Sequence, residues 1–250
     1  MDQKEIENVV KAVLASMSAG TQPAAASAAP QQAAASQNNG FGVFESLDDA
    51  VLAAKEAQKS LKTVEMRNLC IGAIRRAATE HARELAVLAV EETGMGRVED
   101  KLAKNLAQAN GTPGVECLRP EVLTGDHGLT LIENAAWGVI ASVTPSTNPA
   151  ATAINNAISM IAGGNSVIFA PHPAAKKVSQ RTITILNEAI VAAGGPNNLL
   201  VTVAKPDIET AQRLFKYPGI GLLVVTGGDA VVESARKHTN KRLIAAGAGN

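Results

Sequence analysis

Between residues 138 and 246, short apolar runs alternate with segments in which apolar residues recur at helical spacing. The runs are rich in aliphatic and β-branched residues and are too short to be helices. We predict strands at 138–144, 166–170, 199–204, 221–226 and 241–246, joined by helices at about 148–162, 174–193, 207–216 and 228–239. Because helical crossovers connect parallel strands, the predicted fold is α/β, a doubly wound parallel sheet of Rossmann-like type with helices on both faces.

A helical region precedes the predicted sheet. From Leu47 to about Ala109 the apolar residues follow a helical period; Ser46 is typical of an N-cap and Gly94 of a helix end. Cys70 lies on the apolar stripe of this region, so we interpret it as a small buried side chain rather than a nucleophile.

The first 40 residues differ from the rest in pattern. Residues 1–18 combine apolar positions at helical spacing with a charged face, which predicts a short amphipathic helix. Residues 19–40 hold no charged residue and no apolar periodicity, which indicates a flexible linker of Ala, Gln, Ser and Pro. A helix on a long tether suggests a docking peptide for a partner protein. A helix that packs on its own domain, or one that lies on a membrane surface, is the alternative.

Composition narrows the classes of partner. The 250 residues are 46% hydrophobic, enough for a sizeable core, and 23 basic residues balance 23 acidic ones without a long basic run, so we expect no nucleic acid partner. The two cysteines and four histidines lack metal-ligand spacing, so we expect no metal site. No apolar run approaches the roughly 20 residues of a membrane span, so we expect no membrane partner.

The loops after the first and fourth predicted strands carry the candidate chemistry. Doubly wound sheets bind ligands at the carboxyl ends of their strands, where the winding direction reverses, and these two strands flank that point in the common strand order. Gly227 and Gly228 lead into a helix whose first N–H groups could bind phosphate, although neither G-x-G-x-x-G nor a P-loop motif is present. Asn148, before Pro149, is a candidate helix cap and a candidate oxyanion donor, and the two roles are not exclusive.

Five motifs in order carry a family resemblance: Ala136-Trp137-Gly138-Val139, Thr144-Pro145-Ser146-Thr147-Asn148-Pro149, "GNSVIFAPHP" (164–173), "VTGG" (225–228) and "AAGAGN" (245–250). Over its whole length the chain resembles the aldehyde dehydrogenase superfamily. Within it, the chain is most similar to the CoA-acylating branch, the acetaldehyde dehydrogenases of ethanolamine utilisation and the related propionaldehyde dehydrogenases of propanediol utilisation. The choice between these two substrates, and between NAD and NADP, stays open.

The resemblance implies a function and partners. It implies NAD as cofactor, coenzyme A as co-substrate, a short-chain aldehyde as substrate, and a homo-oligomer at full length. In that branch, residues 1–18 resemble an encapsulation peptide that binds microcompartment shell protein, which implies a location in the bacterial cytoplasm, inside a bacterial microcompartment. Residues 41–250 are then the cofactor-binding domain.

The resemblance also implies roles for particular residues. Asn148 matches the amide that stabilises the oxyanion of the thiohemiacetal and thioester intermediates. The turn under the nicotinamide end of the cofactor is matched by Thr144, Pro145 and Ser146. The adenosine side is matched by Ile168, Phe169, Ala170, Pro171 and His172. The approach to the pyrophosphate is matched by Thr226, Gly227, Gly228 and Val231, and Gly247 is a further cofactor-binding position.

The sequence departs from the general superfamily at three points. Ala170 replaces a lysine of the hydrolytic members, so His172 or backbone groups are expected to hold the ribose. Ala246 replaces their water-activating glutamate, which suits acyl transfer. The family's nucleophilic cysteine lies in a catalytic domain after the "GAGN" stretch and is not in this sequence, and Cys117 matches no catalytic position.

Two expectations follow from the third departure. The 250 residues alone are expected to be inactive; the alternatives are a non-catalytic module that binds nucleotide and docks to shell protein, or a gene fragment without stable function. The strand at 129–135 is expected to lack the C-terminal segment with which it pairs in the family's oligomerisation arm.

Overall fold

A six-stranded parallel sheet runs through residues 41–247, the part of the protein that the computed structural model describes. Its strands, in spatial order, are β1 (Val43–Phe44), β6 (Leu200–Val203), β5 (Ser166–Pro171), β4 (Val139–Thr144), β7 (Ile220–Thr226) and β8 (Arg242–Ala246). A separate antiparallel hairpin is formed by β2 (Glu121–Gly125) and β3 (Gly128–Ile132). The doubly wound sheet is confirmed, and its five longer strands lie where the apolar runs predict them.

Eight α-helices connect or cover these strands in the described residues. The first four divide the predicted helical region: α1 (Leu47–Gln58), α2 (Val64–Glu80), α3 (Ala82–Thr93) and α4 (Val98–Gly111). The other four are the predicted crossovers: α5 (Pro149–Ala162), α6 (Lys176–Ala192), α7 (Ile208–Lys216) and α8 (Asp229–His238). Ser46 caps α1 by accepting a hydrogen bond from the N–H of Asp49, and Gly94 ends α3 in a left-handed conformation, φ 66°, which glycine adopts without strain.

Each face of the sheet buries its own apolar core. One core packs α2, α3, α5 and α6 against alternate side chains of the strands, and Cys70 is fully buried in it. The other packs α1, α7 and α8 against the opposite side chains. Within β5, for example, Phe169 belongs to the first core and Ile168 to the second, because successive side chains of a strand point to opposite faces.

The winding direction reverses between β4 and β7. From β4 the chain proceeds through β5 to β6 on one side, and it returns to add β7 and β8 on the other. β4 therefore pairs with both β5 and β7, with Ser142 opposite Phe169 and Val224. The predicted neighbourhood of the first and fourth strands is confirmed, and a crevice opens at their carboxyl ends.

Asn165 fixes the start of β4, at the edge of the sheet opposite that crevice. It is 5% exposed, and its Oδ1 accepts hydrogen bonds from the backbone N–H groups of Trp137 (2.6 Å) and Gly138 (3.1 Å). Its Nδ2 donates to the carbonyl of Met160 at 3.0 Å. Gly138 has φ 95°, which favours glycine. The side chain of Asn165 thus connects the Trp137-Gly138 motif to the Gly164-Asn165 motif, and we call this pair of contacts a structural joint.

Asn165→Ala is expected to lower the free energy of unfolding by about 2 kcal/mol, because it leaves the backbone N–H groups of Trp137 and Gly138 without their acceptor. The carbonyl of Met160 keeps the backbone N–H of residue 165 as a donor. Denaturant unfolding of the variant measures this, with Asn240→Ala, an exposed position, as the matched control. Equal stability of both variants would contradict the assignment of Asn165 as a structural joint.

The hairpin stands apart from both cores. All ten of its strand residues are exposed, among them Val122, Leu129 and Leu131. Of the strand predicted at 129–135, residues 129–132 belong to β3, which pairs with β2, and residues 133–135 are not in a strand. The helix predicted at 1–18 and the linker predicted at 19–40 lie outside the described residues. In residues 41–247, every helix is too short or too polar to cross a membrane.

Candidate functional site

A cleft of about 940 Å³ opens at the carboxyl edge of the sheet, where β4, β5 and β7 end. It is lined by Asn148, the predicted oxyanion donor, and by most of the residues predicted to contact the cofactor: Thr144, Pro145, Ser146, Ala170, Pro171, His172, Thr226, Gly227, Gly228, Val231 and Gly247. Parallel strands end at one edge, so loops that are distant in sequence meet here. The cleft brings these residues together at one edge of the sheet.

Ile168 and Phe169 do not join the others. They are 0% and 1% exposed and lie within β5, each in a different core. Only the end of the strand reaches the cleft, so their side chains support the sheet on which the loop rests.

Asn148 ends the β4 loop and precedes α5, with Pro149 in the first turn of the helix. Its side chain makes no capping hydrogen bond to that helix. Its Oδ1 accepts a hydrogen bond from Nζ of Lys104 at 3.2 Å instead. The helix-cap alternative is therefore wrong for the side chain, and the amide Nδ2 has no protein acceptor within the described residues.

The β5 side of the cleft is tied to β4 through the backbone. The N–H of His172 donates to the carbonyl of Thr144 at 3.0 Å. The Nδ1 of His172 accepts from the N–H of Ala174 at 3.1 Å, so in the neutral ring the proton lies on Nε2. The exposed ring can thus offer Nε2–H to a ligand.

Helices α5 to α8 begin beside the cleft. The starts of α5 and α8 receive no side-chain cap, and α5 begins with Pro149, which has no N–H to donate. The carboxylate of Glu92 accepts from the N–H groups of Lys177 (2.7 Å) and Val178 (2.8 Å), which satisfies the start of α6. At α8 the N-cap residue is Gly228, and no side chain caps the helix. Free N–H groups and the helix dipole favour an anion there.

Gly228 has no conformational need to be glycine. Its backbone is extended, at φ −69° and ψ 165°, and a Cβ built on it meets no atom within 4 Å. Gly227 differs, because its Cβ would come within 2.7 Å of Cγ1 of Val231. The missing side chain at Gly228 keeps the entrance to the α8 N-terminus open.

Helix α7 contributes cleft residues that the sequence reasoning missed, namely Asp207, Ile208, Ala211, Gln212 and Phe215. Asp207 caps α7 by accepting from the N–H of Thr210 at 2.7 Å, and this backbone hydrogen bond holds the pKa of its carboxyl below the usual value. Ile208 is 72% exposed. The sequence signal that could have indicated this contribution is an isoleucine at the first position of an otherwise charged helix.

Neither cysteine belongs to the cleft. Cys70 lies in the core, where burial raises its pKa to about 11, so its thiol stays protonated at neutral pH. Cys117 is exposed in a short 3₁₀ turn, Val115–Cys117, away from the lining residues.

The fold, the switch-point cleft and the ordered motifs agree with a comparison against known families. Residues 21–250 match the aldehyde dehydrogenase family, and the chain belongs to that family. It is 74% identical to an acetaldehyde dehydrogenase (acetylating) of Salmonella typhimurium over 250 residues, all of this chain and 51% of the relative. The chain thus spans about half the length of the curated relatives it matches.

Solved structures of propionaldehyde dehydrogenases share the fold. A propionaldehyde dehydrogenase from the fucose utilisation bacterial microcompartment of Clostridium phytofermentans superposes with a TM-score of 0.82 at 45% identity, over 84% of this chain and 48% of that one. A propionaldehyde dehydrogenase of Rhodopseudomonas palustris, solved with bound CoA and an acylated cysteine, gives 0.81 at 43% identity over the same shares.

Proposed function

We propose that this chain is the cofactor-binding half of an NAD-dependent, CoA-acylating acetaldehyde dehydrogenase, which converts acetaldehyde, CoA and NAD into acetyl-CoA and NADH. The observation that carries the proposal is the cleft itself. The cleft holds the amide of Asn148, which follows β4, and the uncapped N-terminus of α8, which follows β7; these two strands flank the switch point. The high identity to acetylating relatives favours acetaldehyde over propionaldehyde.

The cleft residues suit a dinucleotide. The N-terminus of α8, left open by Gly228, would hold the pyrophosphate. The apolar side chains that α7 and α8 contribute to the cleft, those of Ile208, Ala211 and Val231, would contact the adenine. His172 Nε2–H would donate to the adenosine ribose, in place of the lysine that Ala170 replaces. When bound, NAD supplies the acceptor for the hydride that leaves the aldehyde carbon.

Asn148 supplies the electrostatic part of the chemistry. Its Nδ2 lacks a protein acceptor among the described residues, so it can donate to an oxygen that gains negative charge as a thiolate adds to the aldehyde. A preorganised donor of this kind contributes about 3–4 kcal/mol to the transition state. The thiolate itself comes from the catalytic half of the enzyme, since no cysteine among the described residues lines the cleft.

The charges in the cleft favour transfer of the acyl group to CoA over hydrolysis. Among the described lining residues the only carboxylate is Asp207, and it is engaged as the cap of α7 with a lowered pKa. Ala246, at the end of β8, offers no general base. Water is thus not activated by this half of the enzyme, and the thioester persists until CoA arrives.

The experiment is a chimera in which residues 1–250 replace the matching half of the Salmonella relative. We expect NADH formation from acetaldehyde that depends on CoA, with acetyl-CoA as the product, whereas the 250-residue chain alone binds NAD but forms no product. A chimera that folds but is inactive, or one that releases acetate without CoA, would contradict the proposal. Acetyl-CoA formation by the 250 residues alone would contradict the proposal that the nucleophilic cysteine comes from the catalytic half.

The proposal extends to the surroundings of the enzyme. The amphipathic pattern of residues 1–18 and the microcompartment origin of the Clostridium relative support a shell-docking segment and a place inside a bacterial microcompartment. The exposed apolar hairpin of β2 and β3 supports a homo-oligomer. Retention by purified shell protein, with and without residues 1–18, tests the docking; equal retention would argue against it.

A further inference from the structure

Helix α4 supports the loop that carries Asn148 through two lysines one turn apart. Nζ of Lys101 donates to the carbonyl of Thr147 at 2.6 Å, and Nζ of Lys104 donates to Oδ1 of Asn148 at 3.2 Å. Lys101 is only 6% exposed, and this burial lowers its pKa. Spacing of i and i+3 places both side chains on the same face of α4.

The contact with Lys104 determines which end of the amide faces the cleft. An ammonium group only donates hydrogen bonds, so the amide oxygen of Asn148 must face Lys104 and its nitrogen must face away. Asn148 lines the main cleft on one side and a small cavity beside Lys101 and Lys104 on the other. The NH₂ group is therefore turned toward the cleft, where an oxyanion would form.

Within residues 41–247, Asn148 is the only hydrogen-bond partner of the Lys104 ammonium group, although the Asp100 carboxylate also attracts it electrostatically. Asp100, a turn earlier on α4, pairs with the guanidinium of Arg97 through two hydrogen bonds of 2.8 and 3.0 Å. The Asn148 side chain makes no other hydrogen bond within the described residues, so Lys104 alone fixes the orientation of its amide through a hydrogen bond. The positive charge of the Lys104 ammonium group beside the amide oxygen also polarises the amide, which makes its N–H groups better donors.

We propose that Lys104 is a positioning residue that holds the Asn148 amide with its NH₂ group toward the cleft, on a loop anchored by Lys101. This inference rests on the proposed function for its catalytic consequence, but the orientation itself does not. Lys104 acts through Asn148 and is not expected to touch substrate or cofactor.

The kinetic test is a double-mutant cycle in the chimera. Lys104→Met is expected to lower kcat about 10-fold, part of the roughly 10²–10³ carried by an oxyanion donor, with KM for NAD unchanged. Lys104→Arg should recover most of the rate. In an Asn148→Ala background, Lys104→Met should cost less than about 2-fold, because the group it positions is gone. Lys55→Met, exposed on α1, is the matched control.

A second measurement needs no activity. In the 250-residue chain labelled with ¹⁵N-asparagine, the side-chain NH₂ signals of Asn148, assigned by their loss in Asn148→Ala, should shift in Lys104→Met and stay in place in Lys55→Met. Unchanged signals in Lys104→Met would overturn the proposal, as would equal kinetic losses with and without Asn148. An inactive wild-type chimera would instead reject the proposed function, and the NMR result would still decide the orientation.

Discussion

Asn148→Ala is expected to lower kcat for acetyl-CoA formation by the chimera about 10²–10³-fold while leaving the affinity for NAD unchanged. The amide is held by Lys104 through its oxygen, and the structure of the loop uses neither of its N–H groups. Alanine therefore removes the donor to the oxyanion and little else, and the loss falls on the transition state rather than on substrate binding.

Steady-state kinetics with acetaldehyde, CoA and NAD give kcat, and calorimetry gives the NAD affinity of the same variant. Asn110→Ala, an exposed asparagine at the end of α4, is the matched control. Two results would contradict the oxyanion role: a loss below about 5-fold, or a loss that appears in the Michaelis constant for NAD and leaves kcat intact.

The centre of the sheet was predictable because β4, β5 and β6 are buried on both faces. Continuous apolar runs such as 166–170 and 221–226 occur where both faces of a parallel strand are covered, and the intervening helical periods leave few possible topologies. The two-residue strand β1 escaped prediction, since Val43 and Phe44 are too few to form a pattern. The joint at Asn165 also escaped, because it depends on contacts between residues 27 and 28 positions apart.

The site was predictable where local sequence determines it. The loops at 144–148 and 226–228 follow strands, so their place at the crevice comes from topology alone. The contribution of α7 to the cleft and the contact of Lys104 with Asn148 were missed for one shared reason: both depend on tertiary packing. Lys104 lies 44 residues before Asn148 in a helix whose charged face looks like ordinary solvated surface. Ile168 and Phe169 show the converse error, since neighbours of a site residue along a strand point into the core.

Gly228 offers the sharpest test of the nucleotide-binding half of the proposal. Glycine is usually retained for positive φ or for close packing, and neither applies here, because the backbone is extended and the space beside it is empty. A larger residue would thus be compatible with the fold. A glycine at the mouth of an uncapped helix permits the close approach of a ligand, and the dipole of α8 favours an anionic one.

Gly228→Glu is expected to weaken NAD binding about 100-fold without lowering the thermal stability of the chain. The new carboxylate would stand within a few ångströms of the pyrophosphate, and repulsion between like charges at about 4 Å amounts to several kcal/mol at a protein surface. Calorimetric titration of NAD into the 250-residue chain measures the affinity, and calorimetric melting measures the stability.

Two further variants separate charge from bulk. Gly228→Ala adds only a methyl group in open space and should cost less than about 5-fold, while Gly111→Glu adds the same charge at an exposed helix end, where a Cβ also meets no atom within 4 Å. If Gly228→Glu binds NAD as tightly as Gly111→Glu does, the pyrophosphate does not approach α8. The pyrophosphate of the cofactor would then have to bind elsewhere in the cleft than at the N-terminus of α8.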